Sequence, residues 1–170
     1  MNVTPTNDAL NIAVGTFIES VLPSVKVVQG LADLVAMPIG GFVCFTPTAV
    51  RRLSTNHTAY DGNAQQRGVT MPTEYSVQID CYGPLAADWA TMLTAMWRDP
   101  YACDVLAPDS QPLYSTDPVQ MPLVNGEQNY ESRFTFNALL QFNPTVNVPQ
   151  QSALAIDVDL ISVDAEYPPQ

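Results

Sequence analysis

The fold is decided by the stretch EYSVQIDCYGPLAADWATMLTAMW, residues 74–97, where an alternating segment passes into a helical one. Every second residue of its first part is apolar, which is the period expected of a strand with one buried face. Those residues are Tyr75, Val77, Ile79 and Cys81. Gly83-Pro84 ends the alternation, because Gly permits a turn and Pro at the first helical position lacks an N–H that would be unpaired anyway. The apolar spacing then becomes helical, on the stripe Leu85, Trp89, Met92, Leu93 and Met96. The stretch therefore predicts a strand, a sharp turn and a helix that covers a sheet.

Length and hydropathy indicate one globular domain, residues 1–170. A chain of this size buries roughly two-thirds of its unfolded surface. No uninterrupted apolar run approaches the ~18–20 residues of a membrane span, and the N-terminus lacks the pattern of a signal peptide. We expect a protein made and kept in the cytosol, without a membrane partner.

The charge is strongly and unevenly acidic. The chain has 6 basic and 17 acidic residues, a net charge of −11. Residues 1–73 are balanced, and the whole excess follows residue 73, where only Arg98 and Arg133 are basic. Clustered Lys and Arg are needed to neutralise phosphates, so the composition argues against a nucleic-acid binder. The plainest interpretation of such an excess is a solubilising surface.

The remaining elements follow from periodicity and breakers. Residues 10–21 have helical spacing that Pro23 ends, and residues 42–53 form a strand interrupted at Thr46-Pro47. The polar run 54–68 has no apolar period and predicts a long hairpin loop that is either disordered or reserved for a partner.

The second half continues in the same way. The proline-rich segment 107–124 predicts an extended arm along the surface. Residues 130–142 have the longest alternation of the chain, and 154–160 predict a last strand with Asp157 and Asp159 on its polar side. The sum is an α+β fold: a mostly antiparallel sheet of about four strands covered by two helices, in the order α-β-β-α-β-β.

Residues that could carry chemistry are sparse. His57 is the only histidine and lies in the polar loop, whereas a general base needs a neighbour that orients it. Asp157 and Asp159 could hold a hard cation, but a metal site needs three or more converging oxygens. No phosphate-binding glycine pattern is present, and the three cysteines are too scattered for a disulfide framework. The sequence therefore predicts no catalytic, cofactor or metal residues, and a protein that is not an enzyme.

Taken as a whole, the chain resembles the tail-terminator or neck-terminator proteins of tailed bacteriophages. The likeness is spread in order over about 140 residues, and no single piece is diagnostic. The segments that carry it are 27–30 (VVQG), Met37-Pro38 leading to Phe42, 52–55 (RLST), 77–83 (VQIDCYG), 112–114 (PLY), 118–123 (PVQMPL), 125–128 (NGEQ) and 163–168 (VDAEYP).

The resemblance implies a structural virion protein in the neck of the tail, assembled in the host cytoplasm. Members of the family form rings, usually of six copies, that cap the tail tube and dock on the head-neck connector. The implied partners are other copies of the chain, the tail tube, a sheath protein where there is one, and the connector, while DNA passes through the ring without specific binding. The family has no catalytic residues or cofactors to transfer.

A ring around DNA adds a physical expectation about the acidic residues. Carboxylates that line the channel would repel phosphate and prevent sticking. We expect at least part of the acidic excess to face the channel, and Arg51-Arg52 to lie at an ion-pair interface, with loop 54–68 contacting a subunit or the tube. The candidate interface or channel residues are Arg51, Arg52, Gln78, Asp80, Glu131, Asp157 and Asp159.

Two other functions fit the sequence. One is a different phage adaptor, a head-completion or baseplate protein with another partner. The other is a small α+β enzyme or ligand-binding module, which predicts a pocket with convergent polar groups. Symmetry, the identity of the neighbours and whether the tail contracts are left open by the sequence.

Overall fold

The computed structural model describes residues 2–31, 38–121, 123–124 and 130–151. Three helices and twelve strands lie in these ranges. In chain order they are β1 (Val3–Thr4), α1 (Asn7–Val21), β2 (Lys26–Gln29), β3 (Phe42–Arg52), β4 (His57–Asp61), β5 (Gln66–Thr70), β6 (Thr73–Tyr82), α2 (Ala86–Trp97), α3 (Pro100–Leu106), β7 (Ser110–Ser115), β8 (Val119–Gln120), β9 (Leu123–Val124), β10 (Tyr130–Glu131), β11 (Arg133–Phe142) and β12 (Thr145–Pro149).

The main sheet has six strands, with β6 in its centre. The order is β2-β3-β6-β11-β7, and β8 pairs with the other end of β11. Only the β2–β3 pair is parallel among these pairings. The predicted α+β class is confirmed. The prediction of about four strands, two helices and the order α-β-β-α-β-β is wrong, because α3 and several short strands have too few residues to show a period.

The core lies between one face of this sheet and the helices. The predicted buried row of β6 is confirmed, since Tyr75 is 2% exposed and Val77, Ile79 and Cys81 are fully buried. Phe17 of α1 meets Trp97 of α2 edge to face, with ring centroids 5.1 Å apart. The Tyr75 hydroxyl donates to Asn11 Oδ1 at 2.8 Å, so its one polar atom is satisfied in the core.

The buried face of α2 differs from the predicted stripe. Leu85 and Met92 are 51% and 43% exposed. The buried residues are Ala86, Ala90, Leu93, Thr94 and Trp97. Ala86 and Ala90 let the helix lie close to the sheet beside the buried Leu93 and Trp97, and this contact leaves Leu85 and Met92 on the outer side.

The turn between β6 and α2 requires glycine. Gly83 has φ +107°, and a Cβ there would lie 2.8 Å from the Gly41 Cα. Gly41 in turn has no room for a side chain, because a Cβ would lie 2.6 Å from Trp89 Cη2. The predicted turn is therefore confirmed, although α2 begins at Ala86 rather than at Pro84.

Residues 54–68 form part of a second sheet, which we call the arm. The arm has four strands in the order β1-β12-β5-β4, all antiparallel. Asp61 Oδ1 accepts the N–H groups of Asn63 and Ala64 and so closes the β4–β5 turn. The predicted long hairpin loop is instead a hairpin of two strands, because β4 and β5 contain too few apolar residues to show a period in the sequence.

The interruption predicted in β3 is present as a register shift between Pro47 and Ala49. The proline-rich segment supplies β7 and β8 to the edge of the main sheet, so it is partly strand rather than a free extended arm. The predicted last strand, 154–160, lies outside the described residues.

Candidate interaction surfaces

The open face of the main sheet, opposite the helices, carries a bonded polar cluster around Asp80. This residue is 4% exposed. Arg133 donates from Nε and Nη2 to Asp80 Oδ1 at 3.2 and 3.0 Å. Gln78 Nε2 donates to Oδ2 at 2.8 Å. Both carboxylate oxygens therefore have partners within the chain.

Aromatic side chains hold the arginine of this cluster in place. The Arg133 guanidinium carbon lies 5.5 Å from the centroid of the Tyr82 ring, a cation–π arrangement. Tyr82 stacks on Phe42 with centroids 4.5 Å apart. The cluster is thus fixed by packing as well as by hydrogen bonds.

Gln78 and Asp80, predicted as interface or channel residues, share the open face of the sheet, where both are already bonded within the chain. Gln78 is half-buried and Asp80 is buried. In the β6–β11 register Arg133 lies opposite Tyr82, two residues from Asp80, and its long side chain reaches the carboxylate diagonally. Alternation alone identified the open face but could not show that a neighbouring strand covers it.

The basic pair at the end of β3 is also bonded within the chain. Arg51 lies directly opposite Glu74 in the β3–β6 register and donates to it at 2.9 Å. Arg52 donates to Asn56 Oδ1. The sequence predicted that this pair meets an acidic residue across an interface. For Arg51, the acidic partner is Glu74 of the same subunit.

Of the acidic candidates, Glu131 is exposed in β10, beside β9. Asp157 and Asp159 lie outside the described residues.

Groups of three or more metal-ligand side chains do not occur in the described ranges. His57 is exposed at the start of β4. Burial, and to a smaller extent the neighbouring Asp80 charge, raises the pKa of the Cys81 thiol to about 12, which makes it unreactive. None of the three described helices is long and apolar enough to cross a bilayer.

One face of the arm is apolar, and sequence reasoning missed it. Cross-strand partners in an antiparallel sheet share a face, so the register Val3–Val146–Val69–Thr58 and Val148–Arg67–Tyr60 defines one surface. We call these seven residues the arm face. Tyr60 is 45% and Val3 43% exposed. The signals that point to it are Asp61-Gly62, a hairpin dipeptide, and the alternation Val146-Asn147-Val148.

A second apolar surface lies on the helices. The last turn of α1, the second half of α2 and the start of α3 enclose a groove of about 390 Å³. We call it the helical groove, lined by Ser20, Val21, Met92, Ala95, Met96 and Tyr101. Met92 was predicted to be buried, and its place on this surface follows from the alanine contact of α2.

The whole-chain comparison now identifies the family. The sequence model for the phage neck terminator protein matches residues 8–166. The chain belongs to the phage neck terminator family. The resemblance stated from the sequence is confirmed, and so is the prediction that this protein is structural and not an enzyme, because that is the nature of the family.

One solved relative has the same fold. It is described as the sheath/tube terminator of an extracellular contractile injection system, PVC, in the extended state, solved by cryo-EM. This neck terminator matches it with a TM-score of 0.56 and 14% sequence identity, over 98% of its own length and 66% of that chain. At this identity the likeness shows the fold. No curated protein sequence matches the chain.

Proposed function

We propose that this neck terminator forms a ring, with six copies as in related phages, that caps the tail tube and joins it to the head-neck connector. The observation that carries the proposal is the family match over residues 8–166. Two exposed apolar surfaces, the arm face and the helical groove, support it, since patches of this kind on a soluble protein mark contacts with other proteins.

The proposed partners below the ring are the tail tube and, where the tail has one, the sheath. The support is the solved relative of the same fold, which is described as a sheath/tube terminator. Above the ring the partner is the connector of the head. With these partners, the proposed location is the virion, at the junction of neck and tail.

We propose that DNA passes through the ring along an acidic wall. The support is the charge distribution: the excess of 11 negative charges follows residue 73, and carboxylates repel phosphate. Glu131, Asp157 and Asp159 are the proposed channel residues. Asp80 is withdrawn from this set, because both of its oxygens are engaged within the subunit. Gln78, Arg51 and Arg52 belong to the proposed subunit interfaces.

The test is assembly in the absence of the protein. A phage that lacks this gene should accumulate filled heads and separate tails, and the purified full chain should join them in the extract. Cryo-EM of the joined particles should show a ring of six copies at the upper end of the tube. Copurification with the baseplate or the portal alone, without tube, would instead support a different adaptor.

The channel proposal has its own test in the same particles. The Glu131 carboxylate should lie on the inner surface of the ring, and Glu131→Lys should slow DNA release. Its matched control is Asp109→Lys, an equal change of charge at an exposed position between α3 and β7. Carboxylates found only on the outer rim would refute the acidic wall without affecting the capping role.

A further inference from the structure

We infer that neighbouring subunits dock head to tail, with the arm face of one copy in the helical groove of the next. The inference rests on the ring proposed above and names its contact surfaces. The two surfaces belong to different parts of the subunit. A contact between unlike patches is heterologous, which is the kind that generates a closed ring when the rotation between copies closes.

The arm face is open at its tip, and towards its base Val3, Val69 and Val146 line a cleft of about 380 Å³ together with Val50 and Phe142 of the main sheet. All five residues of β4 are exposed, and in the described sheet β4 pairs only with β5. Valines from three strands and Tyr60 form the surface. Its one charged side chain is Arg67, directly opposite Tyr60. Tyrosine and arginine are the residues that most often carry the binding energy of protein interfaces.

The helical groove has the complementary character. Two methionines and Tyr101 line it, and methionine adapts its shape to an inserted ring. Helices α1, α2 and α3 contain no Lys or Arg. Asp88 lies one turn before Met92, and Asp104 lies one turn after Tyr101, so carboxylates flank the apolar floor.

Like the flanking carboxylates, the C-terminal end of α1 favours a cation in the helical groove. Ser20 and Val21 of the groove belong to its last turn, which has no basic residue. The C-terminus of a helix carries partial negative charge and favours a cation nearby. An apolar floor with an acidic edge therefore fits one aromatic ring and one guanidinium, which are the groups that Tyr60 and Arg67 present at the tip of the arm.

Site-directed crosslinking tests the contact in assembled particles. Cys103 is the exposed native thiol, so the background is Cys103→Ser. Thr58→Cys on the arm face and Ala95→Cys in the groove are both at exposed positions. Joined particles with both changes, treated with a bifunctional maleimide, should give a ladder of covalent oligomers up to the full ring. The background variant alone should stay monomeric on a denaturing gel.

Mixing the two single variants distinguishes contacts between copies from contacts within one copy. A covalent dimer that forms only in the mixture supports docking between subunits. Particles that are joined by a ring but give no ladder overturn the docking inference and leave the proposed function standing. Particles in which the protein forms no ring overturn the proposed function and the inference with it.

Matched substitutions on the two faces of the arm give a second readout. Arg67→Gln and Gln66→Glu both change the net charge by one negative unit, but these neighbours face opposite sides of β5. Tyr60→Ala and His57→Ala likewise remove rings from opposite faces of β4. The first member of each pair should lower the yield of joined particles about tenfold or more, as expected for an interface residue of this type. Equal effects of both members, with unchanged melting temperatures, would contradict the inference.

Discussion

Removal of Arg133 should destabilise the subunit far more than removal of a surface ion pair. The Asp80 side chain is 6% exposed and that of Arg133 23%. In Arg133→Gln the carboxylate keeps one donor, Gln78, and loses its positive partner in a place that water hardly reaches. Breaking a buried pair in this way costs about 3–5 kcal/mol. The stacked rings of Tyr82 and Phe42 also lose the cation that lies over Tyr82, so we expect the upper half of that range.

The assay is urea unfolding followed by intrinsic tryptophan fluorescence, to which Trp97, 1% exposed in the folded state, and the half-buried Trp89 contribute. The midpoint should fall with little change of the m-value. For a chain of this size the melting temperature should fall by roughly 6–20 °C. The double variant Asp80→Asn with Arg133→Gln should recover part of the loss, because no unpaired charge is then left in the interior.

The matched control is Asp117→Asn. Asp117 accepts from Arg98 at 3.3 Å, and its side chain is 87% exposed. A surface pair of this kind contributes about 0–1 kcal/mol. If Arg133→Gln costs no more than this control, water reaches the Asp80 cluster and the argument for a self-contained open face is wrong.

Three further predictions concern packing, thiols and the turn. Ala90→Leu should cost about 1–3 kcal/mol by overpacking the contact of α2 with the sheet, whereas Ala87→Leu, on the exposed side of the same helix, should be nearly neutral in thermal unfolding. Burial raises the pKa of Cys81 from 9.0 to about 12. Its contribution to stability is complete below pH 9 and declines at higher pH, where the unfolded thiol ionises first, so between pH 7 and pH 10 the wild type should lose about 1.4 kcal/mol more than Cys81→Ala in urea unfolding. In a thiol-labelling assay of the folded protein, Cys103 should react first and Cys81 only on unfolding. Gly83→Ala should cost about 2 kcal/mol or more, because its φ is +107° and a Cβ would clash with Gly41, and the melting temperature should fall by about 4–8 °C or more.

The parts of the fold that the sequence predicted share a one-sided apolar pattern. The buried face of β6 and most of that of α1 follow from period alone, because apolar residues recur there at the spacing of a strand or a helix; the buried Asn11 of α1 is the exception. The helix α2 shows the limit of that reasoning. Ranking its residues by size places Met92 inside, yet the close approach through Ala86 and Ala90 places it on the surface.

The arm and the Asp80 cluster were missed for different physical reasons. Strand β5 pairs with β4 on one side and, on the other, with β12, a strand almost 80 residues later in the chain. A local window of sequence contains no trace of that distant partner. At Asp80 the local pattern was correct about the face. The prediction did not include the neighbouring strand β11. Arg133 of that strand reaches Asp80, and the sequence does not reveal the register between β11 and β6.

We infer that the arm is the stronger contact surface, and that the open face of the sheet, with Gln78 and Arg51, contributes less to the proposed interface. Asp80 and Glu74 are already removed from water and bonded to Arg133 and Arg51 of the same chain, so a neighbour that docks there gains little from charge and finds few unpaired groups. Tyr60 and the valines of the arm face are still in contact with water, and each Å² of apolar surface that a neighbour covers contributes about 25 cal/mol. The polar segment 54–68, in which periodicity showed no strands, thus contributes to the arm face, where a second subunit would bury the most apolar area.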